Sequence, residues 1–146
     1  MNLSMKSAAV LDISAAALIL LAPGAEANDD GKLVSVSGGY ESDRWSDELY
    51  SQITFHGCYN SGTFPVAKSV DVQIWEDIKL NPDSCDNKTY TACYVGKVSN
   101  GEWTDLPAGN KQYYFKIMKI GGSKNTSGDP NLDVDKWVVD TTKADG

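Results

Sequence analysis

Beyond residue 27 no stretch of this chain keeps a helical period over three turns, so its fold must be built from strands. Gly, Pro, Asn, Asp and Ser cluster at intervals of roughly a dozen residues, with Val, Ile, Tyr, Trp and Phe between them. Candidate strands are 32–37, 49–59, 69–76, 91–99, 112–120 and 134–140, with a short addition over 103–106. In Val70-Asp-Val-Gln-Ile-Trp-Glu, Val70, Val72 and Ile74 share one face while Asp71 and Gln73 take the other. Tyr113, Phe115 and Ile117 oppose Tyr114, Lys116 and Met118 in the same way, and Lys119 then falls out of phase, which predicts a bulge or a strand end. The best short helical candidate is 42–50, a single turn. Six or seven short strands with frequent turns predict an all-β chain, a small antiparallel β-sandwich of immunoglobulin/fibronectin-like or jelly-roll-like type. Parallel βαβ units are not expected, because crossover helices have no room. The polar stretch 121–130 reads as one long loop leading to a final strand, and 141–146 as a frayed tail.

The first 27 residues are of another kind. Lys6 precedes an apolar run over 15–22, then a Pro23-Gly24 break, then Ala25-Glu-Ala27, the pattern of a secretory signal peptide cleaved before Asn28. The rival reading is a buried N-terminal helix. The run is shorter than the roughly 20 residues a membrane span needs, so no membrane-spanning product is expected. Removing residues 1–27 from the 146 leaves 119, one domain's worth, so 28–146 is read as a single β-sandwich domain. The net charge is −7; Lys6, Asp12 and Glu26 leave with the leader, and the remainder keeps −6. So acidic a surface disfavours nucleic acid and anionic lipid.

Export permits disulfides, and three cysteines allow one bridge and one remaining thiol. Cys85 and Cys93 are the better pair, because Asp86-Asn-Lys-Thr89 between them is polar enough to turn the chain. Cys58 with Cys93 is the rival, since both lie in strand-like text. The segment Leu106-Pro-Ala-Gly109 followed by Tyr113 resembles the tyrosine corner of fibronectin type III and immunoglobulin-like modules. The resemblance implies architecture only: a Tyr113 hydroxyl bonded back to backbone across the turn.

Catalytic patterns are weak. His56, the one histidine, sits two residues before Cys58, and a strand spaces such residues at roughly 7 Å, beyond a Cys–His hydrogen bond. No Gly-x-Ser-x-Gly elbow and no His-Glu-x-x-His helix occurs. Asp71, Glu76, Asp77, Asp105, Asp133, Asp135 and Asp140 offer carboxylate pairs of the glycosidase kind, but acids are abundant here. The spacing Asp129-x-Asn131-x-Asp133-x-Asp135 places oxygen side chains at every second position, as in a calcium loop; Val134 stands where such a loop turns on Gly, and the same text reads as a plain strand. Trp75 and Tyr113 are read as core. Trp45 and Trp103, in polar surroundings, and Tyr114 are the candidate ligand-binding surface. The leading expectation is a secreted extracellular or cell-envelope protein, not an enzyme, that binds a protein or a carbohydrate. The alternatives are an enzyme inhibitor or toxin-like effector, and a small carboxylate-dependent glycoside hydrolase.

Overall fold

The computed structural model describes residues 29–60, 66–126 and 130–142. The leader segment and the last four residues lie outside the described residues. Among the described residues eight strands follow one another: β1 Asp29–Val36, β2 Trp45–Asp47, β3 Ser51–Tyr59, β4 Val70–Glu76, β5 Asp83–Tyr90, β6 Val98–Trp103, β7 Lys111–Ile120 and β8 Leu132–Asp140. A 3-10 turn, Ala92–Val95, separates β5 from β6. All pairings between the strands are antiparallel, in two sheets ordered β1-β8-β3-β6 and β2-β7-β4-β5. No described helix is long and apolar enough to cross a membrane.

The alternation in the sequence builds the core directly. Ile74, Val72 and Val70 of β4 pair with Phe115, Ile117 and Ile120 of β7, and these six with Tyr113 are fully buried. The register between these strands slips between Ile117 and Lys119, where the sequence predicts the irregularity. Side chains of both sheets meet in one cluster. Phe55 of β3 lies edge-on to Phe115 of β7 at 5.6 Å and to Tyr90 of β5 at 5.0 Å, and Phe115 meets Trp137 of β8 at 5.3 Å. Two polar contacts also cross between the sheets: Tyr90 Oη donates to the Ile53 carbonyl at 2.6 Å, and Trp103 Nε1 to the Asp86 carbonyl at 2.7 Å.

Several expectations change. Residues 45–47 form β2, paired with Tyr113, Gln112 and Lys111, and not a helical turn. Residues 91–99 split into the 3-10 turn and the start of β6. Residues 83–90, expected to hold a turn, are the edge strand β5. Its extended backbone explains the disulfide: five rises of about 3.3 Å carry the chain away from Cys85, and a strand cannot close on itself. The turn after β5, ending at Gly96 in the left-handed region, brings Cys93 beside the end of β3. Cys93 therefore bonds Cys58, with Cα atoms 5.0 Å apart, and Cys85 is the free thiol. The expected Cys85–Cys93 bridge is not formed. Nor is the tyrosine corner made: Tyr113 Oη is buried without a hydrogen-bond partner. The strand order also departs from the immunoglobulin order, in which the first two strands are neighbours; here β1 pairs with β8 and β2 with β7.

Candidate functional site

The aromatic residues expected at the surface are mostly core. Trp45 is 4% exposed and donates from Nε1 to Ser51 Oγ, which in turn donates to the Asp47 carboxylate. Trp103 is 1% exposed, and the Lys88 ammonium lies 5.2 Å from its ring centroid. A binding face built on Trp45 and Trp103 is therefore excluded. Tyr114 is on an outward face yet only 3% exposed, because the Arg44 guanidinium sits 3.8 Å above its ring. Arg44 is held there by Glu41 and Asp77, each at 3.1 Å, and by the Ser42 carbonyl at 2.9 Å.

Register places Trp75 directly beside Tyr114, on the outward face of the β2-β7-β4-β5 sheet. Trp75 is half-buried, not core, and the Lys116 ammonium lies 5.1 Å from its ring centroid. The signal for this was present in β4: Trp75 shares parity with Asp71 and Gln73, opposite Val70, Val72 and Ile74. The next row of the same face pairs Lys116 with Gln73 and Gln73 with Asn87; the row after it pairs Lys119 with Asp71 and Asp71 with Thr89. The polar groups are fixed by one another. Gln73 Nε2 donates to the Cys85 carbonyl at 2.7 Å, and Asp71 accepts from Thr89 Oγ1 at 2.9 Å and Asn87 Nδ2 at 3.4 Å. Beside these two rows lies a pocket of about 460 Å³, lined also by Gly39, Lys124 and Thr126. The middle of the other sheet's outward face carries Gln52, Thr54, His56, Asn100, Lys136 and Val138, and no Phe, Tyr or Trp.

Other concavities among the described residues differ in chemistry. An apolar groove of about 550 Å³ runs beside the disulfide, between Tyr59, Val66 and Ala67 on one side and Ala92, Tyr94 and Val95 on the other. Val95, on the 3-10 turn, is 71% exposed there. An acidic pocket of about 310 Å³ holds Cys85 among Glu76, Asp83, Asp86 and Asp105. Burial first, and then those four carboxylates, push the Cys85 thiol up to about 11, so near neutral pH it is a protonated, poor nucleophile. With Cys58 in the disulfide, His56 has no thiol neighbour to activate.

Of the residues singled out for calcium, the described ones, Asn131, Asp133 and Asp135, are not gathered into a loop. Asp129 lies outside the described residues. Asn131 and Asp133 run into β8, where alternate Cα atoms stand about 6.6 Å apart, whereas calcium ligands lie within about 2.6 Å of the ion. Asp133 is buried and accepts from the Ser35 amide at 3.0 Å; Asp135 is exposed. Among the described residues no cluster of three or more His, Cys, Asp or Glu side chains is placed to hold a metal ion.

No protein-family model, curated protein or solved structure matches this chain.

Proposed function

We propose that this chain is a secreted, non-catalytic binding protein, a jelly-roll-like sandwich whose outward β2-β7-β4-β5 face takes a carbohydrate chain. Eight strands in two sheets that share one core support the jelly roll, as does the pairing of β1 with the last strand, β8. The observation that carries the binding reading is the Tyr114–Trp75 pair in the middle of an outward sheet face, continued by rows of amide, hydroxyl and charged groups. A sugar presents apolar C–H faces and hydroxyl edges. A partly exposed indole meets the first, and fixed amides, a carboxylate and ammonium groups meet the second. Secretion is supported by the leader pattern in 1–27 and by a disulfide of the kind an oxidising compartment preserves.

The test is titration calorimetry of the exported protein against a panel of oligosaccharides, with Trp75→Ala beside it. Binding that weakens at least tenfold in Trp75→Ala is expected; affinity for no glycan, or affinity indifferent to Trp75, refutes the proposal. Intact mass of the exported protein tests secretion: the chain should begin at Asn28 and carry one disulfide.

A second reading, an inhibitor or effector that docks on a partner protein, is favoured by the apolar groove and by Val95 beside the Cys58–Cys93 bridge. It predicts inhibition of some enzyme in a protease and amylase panel, lost in Val95→Asp. The hydrolase reading has less support. In the outward pocket Asp71 is the one carboxylate, and a glycosidase brings two to the scissile bond.

A further inference from the structure

Within the carbohydrate-binding reading, on which this inference rests, we infer that the pocket beside the Tyr114–Trp75 pair selects sugar residues bearing a negative charge, a uronate carboxylate or a sulfate ester. The chain as a whole carries −7, so an anion is repelled from most of its surface. This pocket reverses that sign locally. Lys116, Lys119 and Lys124 line it together, and none forms an ion pair among the described residues. Its one lining carboxylate, Asp71, has both oxygens engaged by Thr89 and Asn87. Glu41 and Asp77, which do not line the pocket, both pair with Arg44, and that trio carries one net negative charge. Among the lining residues three ammonium groups therefore stand against one carboxylate, which leaves the pocket net positive, and Gln73, Asn87 and Thr126 supply neutral hydrogen-bonding groups around it.

The placement also fits a chain of sugars. Lys116 lies near the Trp75 ring and in the next row of the sheet. Rows on one face of a strand repeat at about 6.6 Å. A sugar stacked on Trp75 displaces the Lys116 ammonium from over the ring, and its neighbours along the chain then run over Lys116 and Gln73 and towards Lys119. Lysine suits this task, because a flexible ammonium follows a charge whose position varies from one sugar to the next.

The experiment compares two matched pairs of probes, oligogalacturonate against its methyl ester and dextran sulfate against dextran, with three proteins. These are the wild type, Trp75→Ala, and the triple variant Lys116→Gln, Lys119→Gln, Lys124→Gln. Expected is at least tenfold tighter binding of one or both acidic probes over the neutral partner. The preference should vanish in the triple variant while any neutral binding persists, and Trp75→Ala should weaken all binding. The responding pair identifies the anion as carboxylate or sulfate. Equal affinity for acidic and neutral probes, or a preference that survives the triple variant, overturns the inference and leaves the carbohydrate reading standing. No binding of any probe overturns both here. Acid-selective binding that is lost in the triple variant but indifferent to Trp75→Ala refutes the sugar face and keeps the lysine pocket as an anion site. Far-ultraviolet circular dichroism of each variant confirms that the fold is retained.

Discussion

Single residues decide where this chain bends and what its thiols do. Gly57 stands at φ 66°, in the left-handed region, within β3. Across it the inward positions change phase, from Ser51, Ile53 and Phe55 to Cys58, which lets Cys58 reach its disulfide partner. A Cβ at Gly57 also collides with the Asp135 carboxylate. Gly57→Ala should therefore cost at least about 1–2 kcal/mol from backbone strain alone, and an unchanged urea midpoint would show that this account is wrong. Cys85 gives a pH signature. Its folded value of about 11 lies above the ordinary thiol value, so the folded state holds the proton more tightly than the unfolded chain does. That contribution to stability is complete below the ordinary thiol value and is lost as pH rises through about 11. Wild type and Cys85→Ser should thus differ in the alkaline slope of their stability between pH 8 and 11; parallel slopes exclude the effect. The tryptophans show why local composition misleads. Trp103 has Glu102 and Thr104 beside it, both exposed, yet is itself fully buried, because neighbours in a strand face opposite ways.

At the scale of elements, the strands with two distinct faces were legible, and the edge strands β2 and β5 were not. β4 and β7 show their buried sets in the sequence, down to the irregularity before Lys119. β5 does not, because an edge strand buries little: along Asp83–Tyr90 only Tyr90 is fully buried, and the side chain at Lys88 covers the Trp103 ring. Reading β5 as a turn is also what misplaced the disulfide. The true bridge ties the end of β3 to the 3-10 turn and closes a loop with a sequence separation of 35. By the loop-entropy estimate such a bridge contributes about 4 kcal/mol. Cys58→Ala with Cys93→Ala should lower unfolding stability by that order, whereas Cys85→Ala should leave it within about 1 kcal/mol. Equal effects in denaturant titrations of the two variants would reject the pairing.

For the whole molecule, the decisive contrast is between rings that join the two sheets and rings that lie outside them. Trp103 belongs to the shared core and bonds across to Asp86, whereas Trp75 packs on one sheet only. Trp103→Ala should cost about 3–5 kcal/mol, as buried aromatic truncations do, and Trp75→Ala clearly less; comparable losses in thermal unfolding would contradict the assigned faces. The sequence alone determined that the chain is all-β, which parities are buried in β4 and β7, and that one bridge and one thiol should coexist. These are consequences of period-2 alternation, turn chemistry and cysteine number, all local or countable. Tertiary structure alone decided which cysteine pairs, that Trp45 and Trp103 are core, and that Trp75 stands beside Tyr114 with lysines around the neighbouring pocket. Those facts depend on which strands become neighbours, and strand order is settled by how two sheets bury one set of side chains together.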